Sequence, residues 1–147
     1  VAEHEPGDRY GTVEQLVRPA AWTEPPLSEA LPLFRGAVAE IARTAAARGI
    51  DLRAIVIPAS DTVDAVVRGR APTADWDPSL PNRKAAEVLD GAGIPFVDVT
   101  DALARLGARD GYLPFDGHLT PRANRIVADA VHELFARPVA QQAAGAR

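Results

Sequence analysis

The sequence predicts an α/β fold with three layers, α/β/α, around a parallel sheet. Two short apolar runs, Leu52–Pro58 (LRAIVIP) and Ile94–Val99 (IPFVDV), have strand length and the unbroken hydrophobicity of strands covered on both faces. Stretches with helical apolar spacing precede and follow each run, which is the alternation that builds a parallel sheet. The composition, 47% hydrophobic and 24% charged over 147 residues, supports one domain with a real core. Two strands are too few for such a sheet alone. Residues 1–147 therefore read as a single α/β domain, or the C-terminal part of one that is incomplete on its N-terminal side.

Taken in order, residues 1–27 read as an irregular start. Glu3, His4, Glu5, Pro6, Gly7 and Asp8 are solvated, and Pro19, Pro25 and Pro26 interrupt any regular element after them. Within this start, Thr12–Arg18 suits helix and strand equally. Ser28 reads as the N-cap of a long helix with Pro32 in its first turn. Phe34, Val38, Ile41 and Ala45 recur at helical spacing, and Gly49 supplies the stop. After the first strand, Thr62–Val67 reads as a short helix turning Val63, Val66 and Val67 inward, with Ser60 as its cap. Arg68–Leu80, with its prolines, Gly69 and Trp76, reads as a loop. Pro81–Asp90 is a second long helix, capped by Ser79 and closed by Gly91 and Gly93. Thr100 caps a helix to Leu106, Asp98 serves the turn before it, and Gly107–Gly117 reads as a loop. Thr120 and Pro121 open the last helix as N-cap and first helical residue, with Ile126, Val127, Val131, Leu134 and Phe135 as its apolar face. Residues 138–147 read as a frayed tail.

Composition excludes several functions. The net charge of −4 gives no general attraction to nucleic acid or an anionic membrane. Cysteine is absent, so disulfides, thiolate metal sites and a cysteine nucleophile are excluded. No apolar run is long enough to span a membrane. The sequence begins at Val1 and holds no methionine, which predicts a processed chain or a piece of a longer one.

The chemistry concentrates in YLPFDGHLTPRAN, residues 112–124. Asp116 and His118 stand two apart in a loop after a parallel strand and just before a capped helix. Open α/β sheets bind ligands beyond the carboxyl ends of their strands. A carboxylate beside an imidazole fixes its tautomer and stabilises its charged form. On spacing alone a surface Asp-Gly-His turn is the plainer reading. Asp110 is near, but no full set of ligands accompanies it, so no metal is expected. Ser60 follows the first strand and precedes a helix, as a nucleophile would, yet PASDT lacks the glycines of a nucleophile elbow. It is a weak nucleophile candidate and a better helix cap. Ser28 and Ser79 read as caps, His4 lies in the irregular start, and His132 sits at the edge of the last helix's apolar face. Trp76 either shapes a pocket or packs back on the core.

The stretch PFDGHLTPRANRIVADAV resembles the end of the SGNH hydrolases, the GDSL-like esterase and acyltransferase superfamily. GIDLRAIVIPAS and GIPFVDVTDAL are similar to that superfamily's later strands, so the resemblance covers about Ser28 to Ala136. It implies a flavodoxin-like α/β/α domain in which Asp116 and His118 complete a Ser-His-Asp triad. The spacing Asp116-Gly117-His118 is shorter than the common Asp-x-x-His and is similar to the branch with polysaccharide O-acetyltransferase-like members. Ala123 stands where a glycine is frequent. The superfamily's Gly-Asp-Ser block and Gly-x-Asn-Asp block are absent, which aligns the chain with the later half of such a domain. The resemblance implies an esterase or O-acyltransferase acting on a small-molecule or carbohydrate acyl ester, with no cofactor and an extracytoplasmic setting. The alternative is a non-catalytic α/β module that binds a ligand or partner and lacks the nucleophile.

Overall fold

The computed structural model describes residues 15–114 and 117–136. The expectations for His4, Asp116 and the tail 138–147 fall outside the described residues. Within the expected irregular start, Gln15 and Leu16 are helical and Pro19–Thr23 form a 3₁₀-helix. The remaining elements are α1 (Leu27–Ala47), β1 (Ala54–Val56), α2 (Ser60–Val67), α3 (Leu80–Gly91), β2 (Phe96–Asp98), α4 (Thr100–Leu106), α5 (Ala108–Gly111) and α6 (Pro121–Ala136).

β1 and β2 pair in parallel, Ala54 with Phe96, Ile55 with Val97 and Val56 with Asp98. Both strands are shorter than the apolar runs that announce them. Val99 N–H still reaches the carbonyl of Val56, 3.1 Å away, beyond the end of the ladder. Side chains of successive residues leave opposite faces of a strand. Ile55 and Val97 accordingly join a cluster around Val63, Val99, Leu103, Tyr112 and Ala123, which come from α2, α4, α6 and the segments beside them. Leu52 and Ala54 join Val38, Val88 and Ile94 under α1 and α3. Helices therefore cover both faces of the sheet, which is the three-layer arrangement.

The buried stripe of α1 is rotated from the expected one. Val38 and Ala45 are buried, with Leu31 and Ala42 packed beside them, whereas Phe34 and Ile41 are 46% and 55% exposed. Leu31, Val38, Ala42 and Ala45 lie within one narrow arc at 100° per residue, and Phe34 and Ile41 fall on its flank. Ser28 does not cap α1. Pro26 occupies the N-cap, and Ser28 N–H already bonds to the carbonyl of Glu24 at 3.0 Å, so the chain turns helical before Ser28.

α2 begins at Ser60 with Ala59 as N-cap and no side-chain capping bond, so Ser60 is not its cap. This helix buries Thr62, Val63 and Ala65 and exposes Val66 and Val67. The buried Thr62 hydroxyl donates to the carbonyl of Pro78 at 2.7 Å, which satisfies it and lets the helix turn that face inward. At α3, Ser79 holds the N-cap position without a side-chain bond. Its N–H is instead taken by Asp77 Oδ1 at 3.0 Å. α3 takes in Gly91, expected as part of its stop, and is closed by Gly93, whose φ of +67° is open to glycine at little cost. Its N–H bonds to Asp90 and that of Ile94 to Leu89, the paired closure that aims the chain into β2.

Thr100 is likewise the first residue of α4 rather than its cap. Asp98 does the capping, with Oδ1 accepting the Thr100 N–H at 2.8 Å and its hydroxyl at 2.5 Å. The stretch expected as a Gly107–Gly117 loop holds α5 and an antiparallel bridge between Tyr112 and Leu119.

α6 starts as its sequence announces. Thr120 Oγ1 accepts the N–H of Ala123 at 3.3 Å, and Pro121 is the first helical residue. Ala123 and Leu134 are buried, and Ile126, Val127 and Val131 are half-buried. Phe135 departs from the expected apolar face and is 53% exposed. The Arg53 guanidinium lies 4.8 Å over its ring. The Arg53 side chain, 4% exposed, also binds Asp51 and donates to the carbonyl of Leu134. One cation thus ties the C-terminal turn of α6 to the lead-in of β1 and gives the aromatic ring a partner outside the core.

Candidate active site

The carboxyl ends of β1 and β2 gather the polar groups. Beyond β1 the chain runs through buried Pro58 to Ser60, half-buried at the first position of α2. At the end of β2 stands Asp98, exposed and bonded to Thr100 as described. Asn82, 8% exposed on the first turn of α3, donates through Nδ2 to Asp98 Oδ2 at 3.2 Å and to Thr100 Oγ1 at 3.0 Å. The three side chains lock α3, β2 and α4 together at this rim.

The His118 loop is rooted at the same rim. Tyr112, 6% exposed, donates its hydroxyl to the Pro58 carbonyl at 2.7 Å, just past the end of β1. Burial pushes its phenol up to about 12, so it stays a protonated donor at neutral pH. Leu119 pairs with Tyr112, and the carbonyl of His118 accepts the N–H of Leu113 at 2.7 Å. Gly117, at φ +69°, donates its N–H to the Leu113 carbonyl at 3.2 Å, closing the turn in a conformation that favours glycine. Thr120 N–H bonds to Gly111 at 2.9 Å, and its hydroxyl to the Asp110 carbonyl at 2.7 Å. The His118 backbone is thus held from both sides, while the residue itself is exposed.

A second polar anchor stands at the head of α3. Asp77, buried, pairs with Arg83 at 2.5 Å, and its N–H bonds to the Val17 carbonyl at 2.7 Å. The Arg83 hydrogen bond holds the Asp77 carboxyl below the usual carboxylate range, against the opposing effect of burial. Half-buried Trp76 sits beside this anchor, its N–H bonded to Thr73 Oγ1 at 3.1 Å.

Of the residues singled out in the sequence, His118 and Ser60 sit on segments joined at this rim through the Tyr112–Pro58 bond. His132 is exposed on α6, Asp110 contributes its carbonyl, and Ser28 lies within α1. Among the described residues, no three His, Asp or Glu side chains group as a metal site, and no helix is long and apolar enough to cross a membrane. Sequence reasoning missed Tyr112 and Asn82. The one signal for Tyr112 was an aromatic residue just ahead of the loop, whose buried hydroxyl would need a partner. Asn82 gave none.

The layered sheet with a capped loop and helix beyond its strands is the architecture of an SGNH hydrolase-like domain. Residues 16–147 match the family model described as the SGNH hydrolase-like domain of the acetyltransferase AlgX, and the chain belongs to this family. No curated protein and no solved structure matches it.

Proposed function

We propose that this chain carries the acid–base part of a serine-dependent acyl-transfer site, working on acyl esters as an esterase or O-acetyltransferase. The observation that carries this reading is the rooting of the His118 loop at the carboxyl ends of the parallel strands. Membership of a family described by an acetyltransferase supports it. In this reading a serine hydroxyl attacks the ester carbonyl while His118 takes its proton. Asp116 holds the imidazole in the correct tautomer and stabilises its charged form. His118 then returns the proton to the departing alcohol, leaving an acyl-serine. Water or an acceptor hydroxyl attacks the acyl-serine and gives its proton to His118, which passes it to the departing serine oxygen as the acyl–serine bond breaks. The acyl ester is a small molecule or a carbohydrate.

The test uses the full-length protein, a fluorophosphonate probe and a short-chain nitrophenyl ester. Labelling and turnover should both fall by at least about 100-fold in His118→Ala, the range of a lost general base. Mapping the labelled peptide identifies the nucleophile. Label on Ser60, lost in Ser60→Ala, would give this chain the whole triad. Label on a serine outside residues 1–147 would make this chain the His-Asp half of the site. Neither labelling nor turnover in the parent protein would favour a binding module without the nucleophile.

A further inference from the structure

An imidazole that moves a proton has to be held to within about 0.5 Å of its working position. His118 is exposed at the end of a loop, so its place is set by what holds the loop. Three backbone bonds shape that segment internally: Leu113 to His118, Gly117 to Leu113 and Thr120 to Gly111. These bonds define the loop's form and not its place on the sheet. The Tyr112 hydroxyl does the latter, reaching the Pro58 carbonyl 54 residues away in sequence. The ring is packed in the cluster with Val63, Val99, Leu103 and Ala123, so it has no room to swing.

We infer that Tyr112 is a positioning residue for His118: its bond to Pro58 registers the His118 loop against the end of β1 and the start of α2. The inference rests on the acyl-transfer reading for its effect on rate, but the registration itself can be read without activity. Tyr112 touches no reacting atom. It acts by fixing the segment whose next paired residue, Leu119, adjoins His118.

Tyr112→Phe removes the one bond and keeps the ring. In the full-length protein, nitrophenyl ester turnover should fall about 10- to 100-fold in kcat with KM unchanged, the scale of a misplacement of about 1 Å. In NMR of the imidazoles, the His118 resonances should shift or broaden while those of His132 on α6 stay in place. Unchanged kcat and unchanged His118 resonances in a folded Tyr112→Phe protein would overturn the inference. Should that variant not fold, 3-fluorotyrosine at position 112 keeps the ring and alters the strength of the hydroxyl's bond to Pro58. Unaltered His118 resonances there would also overturn it. Failure of the acyl-transfer reading is distinct: His118→Ala would then keep full turnover, while the NMR comparison still reports whether Tyr112 places His118.

Discussion

Asp77→Ala removes the anchor beneath the Trp76 loop, and its cost can be worked from three contacts. Asp77 Oδ1 accepts the Ser79 N–H at 3.0 Å at the head of α3, a bond worth about 1 kcal/mol net. Oδ2 accepts from Arg83, which is 52% exposed, so solvent screening cuts that pair to about 0.5–1 kcal/mol. The backbone bond to Val17 survives the substitution. The sum, about 2 kcal/mol, lowers Tm by roughly 4–8 °C in a chain of this length. Asp77→Asn, which keeps the acceptor for Ser79, should lose about half as much. The pH dependence sharpens the test. The Asp77 carboxyl is held below its ordinary value of 3.8, chiefly by the Arg83 hydrogen bond, so its contribution is present above that value. It is lost as pH falls through the lowered folded value. The Tm gap between parent and Asp77→Ala should therefore be full at pH 7 and shrink in acid. A gap at pH 7 below about 1 °C, or one that acid leaves untouched, would refute the anchor.

Leu103, 0% exposed at the centre of the α2–α4–α6 cluster, should cost about 2–5 kcal/mol on truncation to alanine, read by urea unfolding. Arg53→Ala frees the Leu134 carbonyl, Asp51 and the Phe135 ring together, and should destabilise by about 2 kcal/mol with earlier amide exchange at the end of α6. Tyr112 gives an alkaline signature. Its folded phenol titrates at about 12 against 10.0 for an ordinary tyrosine, so its stabilisation is intact below pH 10 and lost as pH rises to about 12. Relative to Tyr112→Phe, the parent should lose about 1.4 kcal/mol per pH unit across that window, measured by denaturant titration.

The amino-acid sequence by itself determined the features that neighbours in the chain decide. The two buried strands, the helices between them, the glycine stop before β2 and the Thr120–Pro121 start of α6 follow from local apolar runs and capping chemistry. The loop with His118 was legible for the same reason, since turn, cap, proline and helix succeed one another within a few residues. Tertiary structure alone decided which side of each helix is covered and which polar group does the capping. Phe34, Ile41, Val66 and Phe135 are apolar at helical spacing yet exposed, because periodicity gives a stripe but not the neighbour that covers it. Ser28, Ser60 and Thr100 have the chemistry of caps, but Glu24's carbonyl, the backbone of Ala59 and the carboxylate of Asp98 reached the free groups first. The bonds at the carboxyl rim of the strands, Tyr112 to Pro58 and Asn82 to Asp98, join residues 54 and 16 positions apart. No local pattern encodes such a pair, because each partner acquires its role when the sheet and the helices on its two faces bring them within hydrogen-bond reach.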